Sequence, residues 1–244
     1  MKFVYKLVIE YNGKNFYGSQ RQCSLRTVEG VLLEAIGKIL DDFELMISSR
    51  TDSGVHSLGN VARLISKEKI KEEKFLLWVN YILPSDLKVR KIKRVGEDFN
   101  PRKDVKYKVY QYKIFNSKIA PVLEKGYCWW VRKEIDIIKL AEAIDVVKGK
   151  KRFDFATTKE YILRGKSTVC DLQIGYKKVG DVIVLKFIAR RFLHRMIRNI
   201  VRLIVDVSTG SKDIEELKEI IRDWDYCKIY PAPASGLTLV RIVY

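Results

Sequence analysis

The stretch FELMISSRTDSGVHSLGNVARLIS, residues 43–66, reads as two strands joined by a loop. Phe43 to Ser48 and Asn60 to Ser66 have strand composition, and Arg50 to Ser57 is a loop between them. The joining segment Ser49-Arg50-Thr51-Asp52-Ser53-Gly54-Val55-His56 holds an unshielded arginine, aspartate and histidine within seven residues. Gly54 permits a positive-φ turn just after the aspartate, which would lift Asp52 from the sheet surface into a cleft. If the strand persists, Arg50 lies on the same side as Asp52. A nearby guanidinium favours the ionised form of a carboxylate, and an ionised carboxylate is a nucleophile or base rather than a general acid. An aspartate that only caps a turn fits the same local sequence, so both readings stay open here.

Working outward, Lys2 to Tyr11 reads as a strand, and Asn12 to Gly18 as a loop with Asn-Gly punctuation. Val28, Val31, Leu32, Ala35, Ile36, Ile39 and Leu40 recur at helical spacing, with Thr27 at the N-cap position. Glu72 to Asn80 reads as a helix, and Leu87 to Val95 alternates as a strand. The second half repeats this grammar. Strands are expected at Val105–Phe115, Ser167–Tyr176, Val182–Ala189 and Leu237–Tyr244, and helices at Ile135–Val147, Phe192–Ser208 and Ile214–Trp224. This alternation in two similar halves predicts an α+β architecture with internal pseudo-symmetry. The boundary falls near residues 96–104, giving an N-terminal half, 1–100, with the aspartate loop, and a C-terminal half, 101–244.

The composition of the 244 residues sets the partner class. Hydrophobic residues make up 47%, enough for a core, and 47 lysines and arginines against 30 acidic residues give a net charge of +17. Such an excess points to a polyanion, and nucleic acid is the commonest one. The cysteines Cys23, Cys128, Cys170 and Cys227 form no C-x-x-C pair and no zinc-ligand spacing, as expected of reduced thiols in a cytoplasmic protein. Lys2 to Tyr11 is a strand rather than a signal peptide, and no apolar run reaches the roughly 18 residues of a membrane span.

Two further segments fit a nucleic-acid-binding surface. Arg191, Arg195, Arg198 and Arg202 stand at i, i+4, i+7 and i+11, one stripe of the expected helix, with His194 beside it. A solvated basic face usually includes glutamate, and none occurs between 182 and 205, so phosphate contact is the better reading. On the strand Lys106 to Lys113, the side chains of Lys106, Lys108, Tyr110 and Tyr112 share a face by the two-residue period. Cations interleaved with aromatics suit a surface that tracks phosphates and stacks bases, though tyrosine-rich strands also pack ordinary sheets. There is no P-loop, Rossmann glycine fingerprint or G-x-S-x-G elbow, and the loop offers one carboxylate where a two-metal nuclease needs several.

At these residues the chain resembles the TruA-type tRNA pseudouridine synthases. Arg50-Thr51-Asp52-Ser53-Gly54-Val55-His56 matches that family's catalytic signature, R-T-D-x-G-V-H. The opening motif is similar too, at Ile9 to Gly13 and Phe16 to Gln22, as are Thr27-Val28-Glu29-Gly30, Asn80 with Leu83 to Asp86, Phe99 to Arg102, Phe192 to Val201 and Gly236 to Leu239. The resemblance implies two ferredoxin-like halves sharing an extended antiparallel sheet, with flanking helices and a central cleft. It implies a homodimer that converts uridine to pseudouridine at tRNA positions 38 to 40, in the anticodon stem-loop, without metal or cofactor. Asp52 would be the essential carboxylate, Arg198 its partner, and Tyr110 the residue beside the target base. Leu237 would floor the pocket and Arg50 would hold the flipped nucleotide. Arg191, Arg195, Arg202, Lys106 and Lys108 are the expected backbone contacts. Ser19 departs from the family's usual tryptophan, Val109 from arginine, Arg202 from a small residue and Ser53 from alanine. The rival readings are a non-catalytic tRNA-binding protein or chaperone on the same fold, and a glycosidase-like hydrolase, which usually needs two carboxylates.

Overall fold

The computed structural model describes residues 2–222 and 229–244. The fold is α+β, with ten strands in a large mixed, open sheet and six α-helices among the described residues. The strands are β1 (Phe3–Tyr11), β2 (Phe43–Ile47), β3 (His56–Ser66), β4 (Leu87–Val95), β5 (Tyr107–Asn116), β6 (Trp129–Val131), β7 (Gly149–Arg152), β8 (Val169–Val179), β9 (Val182–Ala189) and β10 (Leu237–Val243). The helices are α1 (Val28–Gly37), α2 (Glu72–Ile82), α3 (Ile137–Val147), α4 (Lys159–Leu163), α5 (Met196–Ser208) and α6 (Ile214–Arg222). The chain divides into two compact units, Met1–Lys108 with Thr238–Tyr244, and Val109–Leu237.

In the first unit the strand order is β4-β1-β3-β10, and β2 also pairs with β3. Alternation drives the layering: Tyr5, Leu7, Ile9 and Tyr11 of β1 point to one face and are buried with Ala62 and Leu64 of β3. The helices α1 and α2 cover that face with Val28, Leu32, Ile36, Phe75 and Val79. Fully burying each such aliphatic side chain contributes roughly 1.5–3 kcal/mol. Thr27 caps α1 as expected, its Oγ1 accepting the Gly30 N–H at 3.2 Å.

The Leu83-Pro84-Ser85-Asp86 turn then fastens this layer. Asp86 takes a two-pronged bond from Arg26 (2.8 and 2.9 Å), whose guanidinium also lies 4.1 Å from the centre of the Phe16 ring. That bond holds the Asp86 carboxyl below its ordinary range. Asn80 exchanges both amide groups with Val89 (2.7 and 2.9 Å), so α2 docks on β4 as a strand would.

In the second unit β5-β9-β8-β7 lie in order, with β6 beside β5. Helices α3, α5 and α6 pack on one another. Asp136 caps α3 by accepting from the Ile138 and Lys139 N–H groups. Leu140, Ile144, Ile200, Leu203, Leu185 and Phe187 are among the buried residues here.

Two expectations change. The sheet is mixed rather than wholly antiparallel, because β10 runs parallel to β3 (Thr238 opposite His56) and β6 parallel to β5 (Ile114 opposite Trp129). Helix α5 starts at Met196 rather than Phe192, and Arg195 precedes it in the left-handed conformation at φ 59°. The helix expected at Ile214–Trp224 is described as α6 over Ile214–Arg222, and the rest of that expectation falls on residues 223–228, outside the described residues. No helix among the described residues is long and apolar enough to cross a membrane.

Candidate active site

The Asp52 loop is built by residues far from it in sequence. A turn closes from the Val55 N–H to the Asp52 carbonyl at 3.2 Å, with Gly54 at φ 80°, the conformation its lack of a side chain was expected to permit. Asp52 is half-buried and Arg50 exposed, while Ser49 and Thr51 are buried. The strand does not persist through Arg50, since β2 ends at Ile47, so the two-residue alternation does not relate Arg50 to Asp52.

The opening motif holds this loop. Gly54 N–H donates to the Phe16 carbonyl (3.3 Å), and the Ser53 hydroxyl donates to the same oxygen (3.3 Å). Tyr11 shares a hydrogen bond with Thr51 Oγ1 at 2.8 Å, and Asn60 Nδ2 donates both to the Tyr11 hydroxyl (3.2 Å) and to the Ser49 carbonyl (2.8 Å). Burial pushes the Tyr11 phenol upward, so it stays neutral as donor or acceptor. These groups are satisfied inside the core, as buried polar groups must be. His56, read from sequence as unshielded, is buried. Its Nδ1 accepts the Gly13 N–H at 3.2 Å, so it is a fastening of the loop.

Lys108 reaches the same place from β5, its Nζ donating to Ser49 Oγ at 3.1 Å. Burial, with a smaller push from Arg102, lowers its pKa from 10.5 to about 8. Between those values the unfolded chain binds the proton and the folded chain has released it, so stability rises with pH across the window. Below about pH 8 the folded state carries the full cost of the buried charge. Lys108→Met is expected to raise Tm relative to wild type at about pH 7.5, with the advantage shrinking at about pH 9.5. A constant difference at both pH values would remove the buried-charge account. Lys106 is exposed.

In the second unit, Tyr110 is buried with its ring edge-on to Phe192, centroids 5.0 Å apart. Tyr112 is no stacking platform: it is fully buried and its hydroxyl donates to the Pro233 carbonyl at 2.7 Å. Gly236 lies so close that a Cβ there would stand 2.6 Å from the Tyr112 ring, and Leu237 follows, buried. Arg198, half-buried on α5, donates from Nε to the Ala232 carbonyl at 2.7 Å, while the Ala232 N–H returns a bond to the Arg198 carbonyl at 3.1 Å. The first of these bonds holds the guanidinium at Nε, and the second ties the α5 backbone to Ala232.

The arginine stripe is broken. Arg191 precedes the helix, and its Nη2 donates to the carbonyls of Ser167 and of Val169, the latter at 3.1 Å. Arg202 pairs with Asp206 Oδ1 and Oδ2 at 2.9 and 3.0 Å, an acidic partner just past the glutamate-free stretch 182–205. Arg195 is exposed, with its backbone in an uncommon conformation. We therefore expect Arg195→Ala to lower the slope of log K against log salt for tRNA by about one phosphate contact, and Arg191→Ala and Arg202→Ala to change it less. Equal slopes for Arg195→Ala and wild type would return Arg195 to a solvated surface.

Comparison with known proteins covers both units. The profile of the tRNA pseudouridine synthase family matches residues 7–104 and 143–244. Asp52 and Arg198 fall within the match, whereas Tyr110 lies in the interval between its segments. The protein named tRNA pseudouridine synthase A from Aquifex aeolicus (strain VF5) is 35% identical over 241 residues, covering 98% of each chain. The protein of that name from Clostridium botulinum (strain Eklund 17B / Type B) is 37% identical over 246 residues, again covering 98% of each. With the Asp52 signature built as an ordered loop and relatives aligned from end to end, this chain belongs to the tRNA pseudouridine synthase family.

Proposed function

We infer that this protein is a tRNA pseudouridine synthase, an isomerase that converts uridine to pseudouridine in the anticodon stem-loop at positions 38–40. The observation that carries this is the family match through the Asp52 loop, with similarity over 98% of the chain. The rival reading, a tRNA binder without catalysis, accounts for the charge of +17 but gives no reason to build a carboxylate into a loop gripped from several sides.

The reaction breaks the N1–C1′ glycosidic bond, turns the uracil, joins C5 to C1′ and releases the C5 proton, with no redox change. Its substrate base is stacked in a stem and must first be flipped, at a cost of roughly a few kcal/mol. Phosphate contacts from Arg195 and Lys106, with Lys108, Arg191 and Arg202 in lesser roles, would offset that cost. Asp52 acts as the essential carboxylate, Arg198 as its cationic partner, Tyr110 as the residue beside the uracil, Leu237 as the apolar floor and Arg50 as the holder of the flipped nucleotide. Residues 1–100 thus supply the carboxylate, and residues 101–244 the tyrosine and the arginine helix. We place the enzyme in the cytoplasm as a homodimer, in keeping with its resemblance to the family.

One assay tests the reading. Unmodified tRNA incubated with the protein is expected to gain pseudouridine in the anticodon stem-loop. Release of free uracil would make it a hydrolase, and an unchanged tRNA that still binds would make it a binding protein.

A further inference from the structure

Ser19 is fully buried and grips the residues leading to Asp52 from two sides. Its hydroxyl accepts the Thr51 N–H at 2.8 Å and donates to the Ser49 carbonyl at 3.3 Å. A hydroxyl has one proton to give and lone pairs to receive, so both bonds form at once. The Ser19 backbone N–H donates to the Thr51 carbonyl at 3.1 Å, so Thr51 is bracketed at both of its peptide groups.

The bracket is anchored in a rigid element. The carbonyls of Gly18 and Ser19 accept the Val28 and Glu29 N–H groups at 3.2 and 3.0 Å, satisfying two first-turn donors of α1. Gly18 makes the approach possible: at φ 89°, a Cβ on it would stand 2.8 Å from the Thr51 carbonyl oxygen. The N-terminus of α1 therefore holds Gly18 and Ser19, and Ser19 holds residues 49 and 51, the neighbours of Arg50 and Asp52.

We propose that Ser19 is a positioning residue for catalysis, its side-chain hydroxyl fixing the Arg50–Thr51 peptide through the Thr51 N–H and so the direction of the carboxylate on the next residue. The proposal rests on Asp52 being the reacting group. Removing the hydroxyl does not affect the two loop ends alike. The Ser49 carbonyl keeps its bond from Asn60 Nδ2 at 2.8 Å, whereas the Thr51 N–H loses its side-chain acceptor inside the core. An amide so placed is costly, and the segment shifts to find another partner. A displacement near 1 Å at a reacting group can cost roughly 100-fold in rate.

The test is single-turnover pseudouridine formation by Ser19→Ala, beside its tRNA Kd and its thermal melt. The rate is expected to fall roughly 10- to 100-fold, with Kd within about twofold of wild type. The deficit should persist at temperatures well below the melt, where all the protein is folded. A rate within twofold of wild type would overturn the proposal, as would a deficit that vanishes on cooling, the mark of partial unfolding. Asp52→Asn runs in parallel. If that variant is active, the reading of Asp52 fails and takes this proposal with it; if it is inactive while Ser19→Ala is fast, only the role of Ser19 fails.

Discussion

Asp52→Asn is expected to abolish pseudouridine formation, by at least about 10³-fold in kcat, while tRNA binding and fold are kept. The scale is that of removing a nucleophile or base from an enzyme, where the remaining binding interactions cannot replace the missing chemistry. The substitution is nearly isosteric, and Asp52 is half-buried, so little packing is disturbed. The backbone bonds of the loop do not use the replaced atoms: the Val55 N–H binds the Asp52 carbonyl, and the Gly54 N–H binds Phe16. An amide in place of the carboxylate is neither a base nor an effective nucleophile at neutral pH. The measurement is kcat on unmodified tRNA, with a filter-binding titration and a melt of the same preparation. Activity within tenfold of wild type would exclude Asp52 as the reacting group. Loss of binding along with activity would make it a structural residue of the loop.

The parts of this fold legible in sequence are those whose cause is local. The strands β4 and β9 match the expected bounds to the residue: β9 alternates along its length, and β4, whose alternation shifts phase after Val89, is bounded by Pro84-Ser85-Asp86 and Gly96. Thr27 was recognised because its capping partner is three residues away. The start of α5 was not legible. Phe192 to Arg195 have helical composition, yet Leu193 is buried, the Thr157 hydroxyl donates to the His194 carbonyl at 3.2 Å, and Arg195 turns through φ 59°. The short β6, β7 and α4 were missed for a related reason, since three to five residues carry too little periodicity to be seen.

Within the site, residue type was legible and environment was not. The sequence presents His56 as unshielded in the loop and Tyr112 on a strand face that suits either base stacking or ordinary sheet packing. Both are instead buried and bonded to backbone, one to the Gly13 N–H and the other to the Pro233 carbonyl. Asn60 was not singled out as a site residue, although its amide joins Ser49, Tyr11 and Val61 in one network under the loop. The spacing of Asn60 from Ser49 gives no sign of this, because pairing of β2 with β3 brings them together.

Gly13→Ala is expected to be the most damaging single methyl in the first unit. A Cβ at position 13 would stand 2.1 Å from the Val55 carbonyl oxygen, 2.5 Å from its carbon and 2.9 Å from the Gly54 carbon. None of these is the end of a flexible side chain; all are backbone of the turn that follows Asp52. The methyl can be accommodated only if that turn moves away, which strains the bond from the Gly13 N–H to His56 and the hold of Phe16 on Gly54. Overpacking of this kind costs about 1–3 kcal/mol, and more where the obstacle is main chain. For a chain of this size each kcal/mol lowers Tm by roughly 2–4 °C, so a drop of several degrees is expected. Activity should fall further than stability accounts for, since the displaced segment carries the carboxylate and a shift near 1 Å can cost roughly 100-fold. Gly175→Ala is the control: its added Cβ meets nothing within 4 Å, so both Tm and kcat should stay near wild type. A Gly13→Ala protein with wild-type Tm and kcat would show that the loop yields freely, and that the Gly13 contact does not hold Asp52 in place.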